Sequence, residues 1–423
     1  MAPAQAPAQP ARGHGRGQQD AAEVLRVLKQ AAYFVVFSVP DPQSLSQGVP
    51  LVPLLPASIY KIEITEAPRR LRLNVRPPSP DCGLLTSKEV SQRQVAQQHL
   101  VMAVCPNDFQ GGPGRTPPPT VLVPFLSQRF IMTDGNFQFL DGRGSGFHAM
   151  ASGRFFPAQV AGKTQLRIGG AVEILEGFGA LEGVIGNLVI NGETTPPSEF
   201  ANSFIFRFVD PQGQLTAKGP LPPVVPMEPD PDPLTAFVPV MAELDPDHPP
   251  TVTAASDGRQ KRIHMVQRLR LVDTNFQVAP GVLSSYLVEG EVIGRQETTL
   301  VFDPDDPQDV IPLYSARSQL TFFTARRETI GTLQADLYEG RAFRTVLPQL
   351  ARPFFRIAGF GPFTAGTGQF VDAVGMVAAN GALSLEPPAL TAMYLLRISD
   401  PLGRFKRLAP SPLATAARAA VQT

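Results

Sequence analysis

The chain has 423 residues, with 37 basic and 37 acidic side chains and no net charge. An apolar share of 43% excludes a wholly disordered chain, and the length suffices for two domains of ordinary size. The balanced charge argues against nucleic acid as a partner, because phosphates demand a basic surface. No apolar run of roughly 18 residues is present to make a membrane-spanning helix.

The 45 prolines belong in turns and long connections, since proline breaks helices and central strands. Two cysteines, Cys82 and Cys105, exclude a disulfide scaffold, and no Cys/His spacing suits zinc. Residues 1–19, rich in Ala, Pro, Gln and Gly, read as a tail without the apolar core of a secretory signal. Together with the few cysteines this points to the cytoplasm.

From Asp20 to Gln30 the spacing predicts a short helix, with Asp20 as N-cap and Val24, Leu25 and Leu28 on one face. The period then changes. Ala31–Val39, Ser58–Thr65 and Arg69–Val75 are short alternating or apolar runs bounded by turn residues, which predicts strands. A second helix is predicted from Ser87 to about His99, inside an insertion near residues 77–119. The prolines of 219–233 mark a stiff linker. The predicted domains are thus 20–218 and 234–408, followed by a tail over 409–423.

An internal repeat organises the two domains. Gly177–Gly192 (GFGALEGVIGNLVING) aligns without gaps on Gly366–Gly381 (GTGQFVDAVGMVAANG), with Leu181 and Phe370 in one apolar slot. RIGG (Arg167–Gly170) matches RIAG (Arg356–Gly359), and FRFVDPQGQL (Phe206–Leu215) matches LRISDPLGRF (Leu396–Phe405). Each copy places a Gly-x-Gly turn between apolar runs and ends on an Asp-Pro-x-Gly turn, which predicts strand, turn, strand. The recurring Asn191-Gly192 and Asn380-Gly381 are hairpin-turn signals.

GFGPFTAGTGQFVDAVG (Gly359–Gly375), with its looser copy Ile168–Gly186, resembles the barrel core of the allene oxide cyclase and dirigent superfamily. There a glycine-rich hairpin leads into a strand and the barrel closes soon after. The resemblance implies an all-β fold of two tandem antiparallel eight-stranded barrels, allene oxide cyclase-like or calycin-like, with a short N-terminal helix. It also implies an apolar, unsaturated small molecule as ligand and cyclisation without a cofactor.

Candidate chemistry is sparse. Glu173 and Glu176 flank the glycine turn, as general acid or base if they point inward and as solvated carboxylates if they do not. Tyr394, Tyr286 and Tyr338 are either hydrogen-bond donors to a bound carbonyl or core packing. The recurring Arg167 and Arg356, like Arg207 and Arg397, either bind a carboxylate or enolate oxygen or lie on the outer face. His148 sits where the first barrel would be. No metal, nucleotide or nucleophile motif is present. The sequence therefore suggests a cofactor-independent cyclase or isomerase of a fatty-acid- or polyketide-derived molecule. A non-catalytic carrier or scaffold is the alternative, and homo-oligomerisation is left open. Cavity volume separates the two readings: roughly 300 Å³ or more for a ligand, a side-chain-filled interior for a scaffold.

Overall fold

The structure, a computed structural model, describes residues 14–39, 49–50, 60–81, 83–105, 129–160, 162–195, 199–217, 219, 221, 234–255, 258–337, 340–350, 352–400 and 402–405. The predicted linker, apart from residues 219 and 221, and both predicted tails beyond these bounds lie outside the described residues. The class is all-β with one α-helix among the described residues, α1 (His14–Lys29). That helix starts before the predicted N-cap, so Asp20 lies within it. No helix among the described residues is long and apolar enough to cross a membrane.

The first half contributes β1 (Ala31–Ser38), β2 (Val49–Pro50), β3 (Tyr60–Glu66), β4 (Arg69–Ser79), β5 (Gly83–Gln94), β6 (Ala96–Cys105), β7 (Arg129–Phe139), β8 (Gly146–Val160), β9 (Lys163–Phe178), β10 (Gly186–Thr195) and β11 (Glu199–Val209). Only Ala67-Pro68 separates β3 from β4, and only Val95 separates β5 from β6, so each couple acts as one bent strand. The antiparallel pairings run from β1 to the β3–β4 strand, to the β5–β6 strand, then through β7, β8, β9, β10 and β11 back to β1.

The second half repeats the circuit with β12 (Thr235–Leu244), β13 (Thr251–Ala254), β14 (Lys261–Ala279), β15 (Val282–Phe302), β16 (Val310–Phe323), β17 (Thr329–Ala335), β18 (Gly340–Thr345), β19 (Phe354–Gly366), β20 (Val374–Leu385) and β21 (Pro388–Ser399). Its pairings run β12, β14, β15, β16, the β17–β18 couple, β19, β20, β21 and back to β12.

The predicted helix over Ser87–His99 is instead the end of β5 and the start of β6. Its polar residues alternate on a strand whose Val90 is buried in a core shared by both halves. Tertiary packing overrides a sequence that is merely tolerant of helix. Residues 77–105 of the expected insertion are therefore part of the circuit.

The Gly-x-Gly turns fall where predicted. Gly179 and Gly368 have φ of 65° and 60°, and the turns that follow bury Leu181 in the first core and Phe370 in the second. The Asp-Pro-x-Gly turns also form, with Gly213 N–H on Asp210 O at 3.0 Å and Gly403 N–H on Asp400 O at 3.1 Å. No strand follows them. The Asp210 carboxylate instead accepts from the N–H of Leu215 at 2.8 Å, and that of Asp400 from Phe405 at 3.0 Å. Leu215 and Phe405 then plug the first and second cores.

The two halves exchange hairpin arms. The β4–β5 arm reaches into the second half, where Leu84 is fully buried in the second core. Its N–H meets Gln369 Oε1 at 2.9 Å, and its carbonyl accepts from Gln369 Nε2 at 3.1 Å. In return, register shifts around Arg270 break the β14–β15 ladder into a body and an arm. Beyond them Phe276 and Leu283 enter the first core.

Strand alternation builds the seam between the halves. On β1, Ala32, Phe34 and Val36 face the first core, while Tyr33, Val35 and Phe37 face the shared one. On β21, Tyr394, Leu396 and Ile398 face the second core, while Met393 and Leu395 face the shared one. Contact is close at Gly169, where a Cβ would lie 2.0 Å from Phe360 Cδ2.

Asn191 and Asn380 are not turn residues: both are fully buried in mid-strand, in β10 and β20. Asn380 Nδ2 donates to Asn187 O at 3.0 Å and Ile205 O at 2.8 Å. Asn191 Nδ2 donates to Met376 O at 3.4 Å and Leu395 O at 3.0 Å. In the repeat alignment Asn187 corresponds to Met376 and Ile205 to Leu395, so the contacts are related by a pseudo-two-fold. The asparagines recur because each copy reaches the same carbonyls of the other. Asn380→Ala also strips Asn187 Nδ2 of its 2.7 Å acceptor. It is expected to cost about 2 kcal/mol, read as a lower urea midpoint with an unchanged slope; an unaltered midpoint contradicts this role.

Candidate functional site

The period of two that lays Ile64, Leu100, Phe204 and Val36 into the first core also lays polar residues there. Two positions along each strand stand Glu66, Gln98, Asn202 and Ser38, all buried. Glu66 is the cross-strand partner of Gln98, and Ser38 of Asn202. Asn202 Nδ2 donates to Glu66 Oε1 at 2.8 Å, which ties the two pairs together. The Ser38 hydroxyl bears on the carboxyl without reaching hydrogen-bond geometry. Burial pushes the Glu66 carboxyl up to about 7, against the pull of Asn202 and Ser38.

A groove of about 410 Å³ runs alongside, walled by Glu66, Gln98, Gln94, Gln97, His99, Asn136 and Gln138. Within the first core, voids of about 10 Å³ and about 20 Å³ border Gln98 and Asn202. Each has the size of a single water. A further depression of about 360 Å³ lies where Gln159 and Val160 meet the end of the second half. Its charged groups are engaged: Asp400 holds the terminal turn, and Arg404 donates to Val371 O.

The second core carries a neutral counterpart. Tyr394 OH donates to Gln267 Oε1 at 3.3 Å, and Gln296 Nε2 donates to Ser318 Oγ at 2.8 Å. Burial pushes the Tyr394 phenol up to about 12, so it is a fixed donor inside the core.

The structure brings some of the sequence candidates together, but in no common site. Arg356 Nη2 meets Glu173 Oε1 at 3.3 Å in the seam. Burial raises Glu173 and the Arg356 charge opposes the rise, while burial lowers Arg356 to about 10. Arg167 is buried in the seam against Glu193. His148 and Glu176 are exposed cross-strand partners on β8 and β9. Tyr286 lies on the β14–β15 arm opposite Asn275. Tyr338 lies outside the described residues.

Sequence reasoning missed Glu66, Gln98 and Asn202. The signal was available: Ile62, Ile64 and Glu66 alternate, as do Leu100 and Gln98, and Phe204 and Asn202. Among the described residues no group of three His, Cys, Asp or Glu side chains is placed to hold a metal ion. In comparisons with known proteins, no family model and no curated protein matches the chain.

Glu66 carries a pH prediction. Its carboxyl titrates near 4.5 in the unfolded chain and at about 7 in the folded one, so the folded state binds the proton more tightly. Its contribution is most favourable below pH 4.5, is lost as pH rises to about 7, and is then lower by on the order of 3 kcal/mol. In a buffer whose only metal-free cation is choline, Glu66→Gln should remove this slope and be the more stable protein at pH 8. Urea midpoints at pH 5 and pH 8 measure it; parallel pH profiles for both proteins would rule it out.

Proposed function

We propose that each circuit closes as an eight-stranded antiparallel barrel, as the resemblance to allene oxide cyclase and dirigent proteins implies, and that the pair serves as a non-catalytic scaffold. One observation carries the reading: the first interior is filled. Its voids of about 10 and 20 Å³ fall far below the roughly 300 Å³ that a drug-sized apolar ligand needs. Phenylalanines occupy the space, with Phe137 and Phe206 centroids 4.7 Å apart and Phe34 and Phe276 5.3 Å apart. The second core is packed by Phe302, Phe322, Phe355 and Phe370. The seam arginines have structural partners, and Glu173 is a counterion for one of them.

Native mass spectrometry of the full chain tests this. The scaffold reading expects the mass of the protein alone and no saturable uptake of an apolar fluorescent probe. A fatty-acid- or polyketide-like molecule retained at one per chain would contradict it and favour the cyclase reading.

A further inference from the structure

The polar layer of the first core has more acceptors than hydrogens to give them. Glu66 Oε2, Gln98 Oε1 and Asn202 Oδ1 are all buried and have no hydrogen-bond partner. The side chains that bear them are joined through the Glu66–Gln98 strand pair and the 2.8 Å bond from Asn202 to Glu66. The second core differs. There the atoms left over are Gln267 Nε2 and Gln296 Oε1, a donor and an acceptor on a cross-strand pair, so that layer is neutral and complementary. The first layer holds one carboxylate, surplus oxygens and no basic partner on either carboxylate oxygen.

Buried oxygens without hydrogens ask for a positive guest. Carboxylate and carboxamide oxygens suit hard cations rather than soft ones. The charge decides which kind. A monovalent ion neutralises Glu66, whereas a divalent ion would leave a net buried charge. The space beside Asn202, about 20 Å³, admits a bare ion and not a hydrated one.

We propose that Glu66, Gln98 and Asn202 form a binding site for one hard monovalent cation, sodium or potassium, inside the first strand circuit. The groove at Glu66 and Gln98 is its route from solvent.

The test is thermal unfolding of the full chain at pH 8 and constant ionic strength, with choline chloride replaced stepwise by sodium, potassium, magnesium or calcium chloride. Sodium or potassium should raise the midpoint saturably, by roughly 2 °C for one site filled to about ten times its Kd. Glu66→Gln should abolish the rise. Should that variant not fold, Gln98→Met removes one oxygen and should weaken the half-saturating concentration at least tenfold. Sodium-23 line broadening, relieved by excess potassium, reports the same site without unfolding. Equal midpoints in sodium, potassium and choline would overturn the proposal. So would a rise with calcium or magnesium alone, or a rise that survives both substitutions.

Discussion

Glu193→Ala is expected to destabilise the protein by about 3–5 kcal/mol, the cost of leaving buried charge without its partner. Glu193 sits in the seam with two arginines. Its Oε2 pairs with Arg167 Nη1, and its Oε1 with Arg397 Nη2 at 2.9 Å. Both guanidinium groups are essentially inaccessible, at 1% and 0% exposure, so water cannot replace the carboxylate. Arg397 is further fixed by Asn191 O at 3.0 Å and Ala201 O at 2.7 Å, and it cannot swing out to solvent without breaking the seam. Glu193→Gln keeps an acceptor but removes the charge, so its loss should be smaller than that of alanine. Urea unfolding of the three proteins measures this. A loss below about 1 kcal/mol for Glu193→Ala, the range of exposed ion pairs, would contradict the assignment.

Phe276→Ala carries the second large effect, about 3–5 kcal/mol for emptying a buried phenylalanine site. Phe276 belongs to the second half by sequence and to the first core by position. Its ring lies 5.3 Å from Phe34, and its carbonyl accepts from Arg70 Nη1 at 3.0 Å. The arm it rides on is held to the first half by backbone bonds: Gly281 N–H to Asp141 O at 2.8 Å, and Ser285 N–H to Leu215 O at 2.7 Å. The truncation therefore leaves a hole among the first half's phenylalanines. A midpoint change of the size seen for exposed substitutions would mean that the arm does not complete that core.

The strands and the duplication were legible because both leave periodic traces. Alternation marks Ala31–Val39 and Arg69–Val75, and the blocks around Gly177 and Gly366 match in order. The meaning of the recurring polar residues was not legible. Arg167 matches Arg356, and Arg207 matches Arg397, yet the functional unit in each case is a pair drawn from both alignments. Arg167 and Arg397 share Glu193, while Arg356 lies within electrostatic reach of Arg207 beside Glu173. The counterions come from unmatched positions, so a single copy shows arginines with no partner. Asn191 and Asn380 misled for the same reason: Asn-Gly is a turn signal locally, whereas the carbonyls that fix these two belong to the other copy. The Ser87–His99 segment was ambiguous because half of its residues are solvated, and its strand character comes from pairing with β4 and packing under the second half. Glu66 was recoverable by extending the alternation of β3 one step further.

The central claim is that the two halves complete each other's cores through exchanged arms. Hydrogen exchange on Phe276→Ala and Leu84→Ala, read by peptide, tests it most directly. Phe276→Ala should raise exchange chiefly in β1, β7 and β11 of the first half, and Leu84→Ala chiefly in β16, β17 and β19 of the second. Faster exchange confined to the half that carries each substitution in its own sequence would contradict the account.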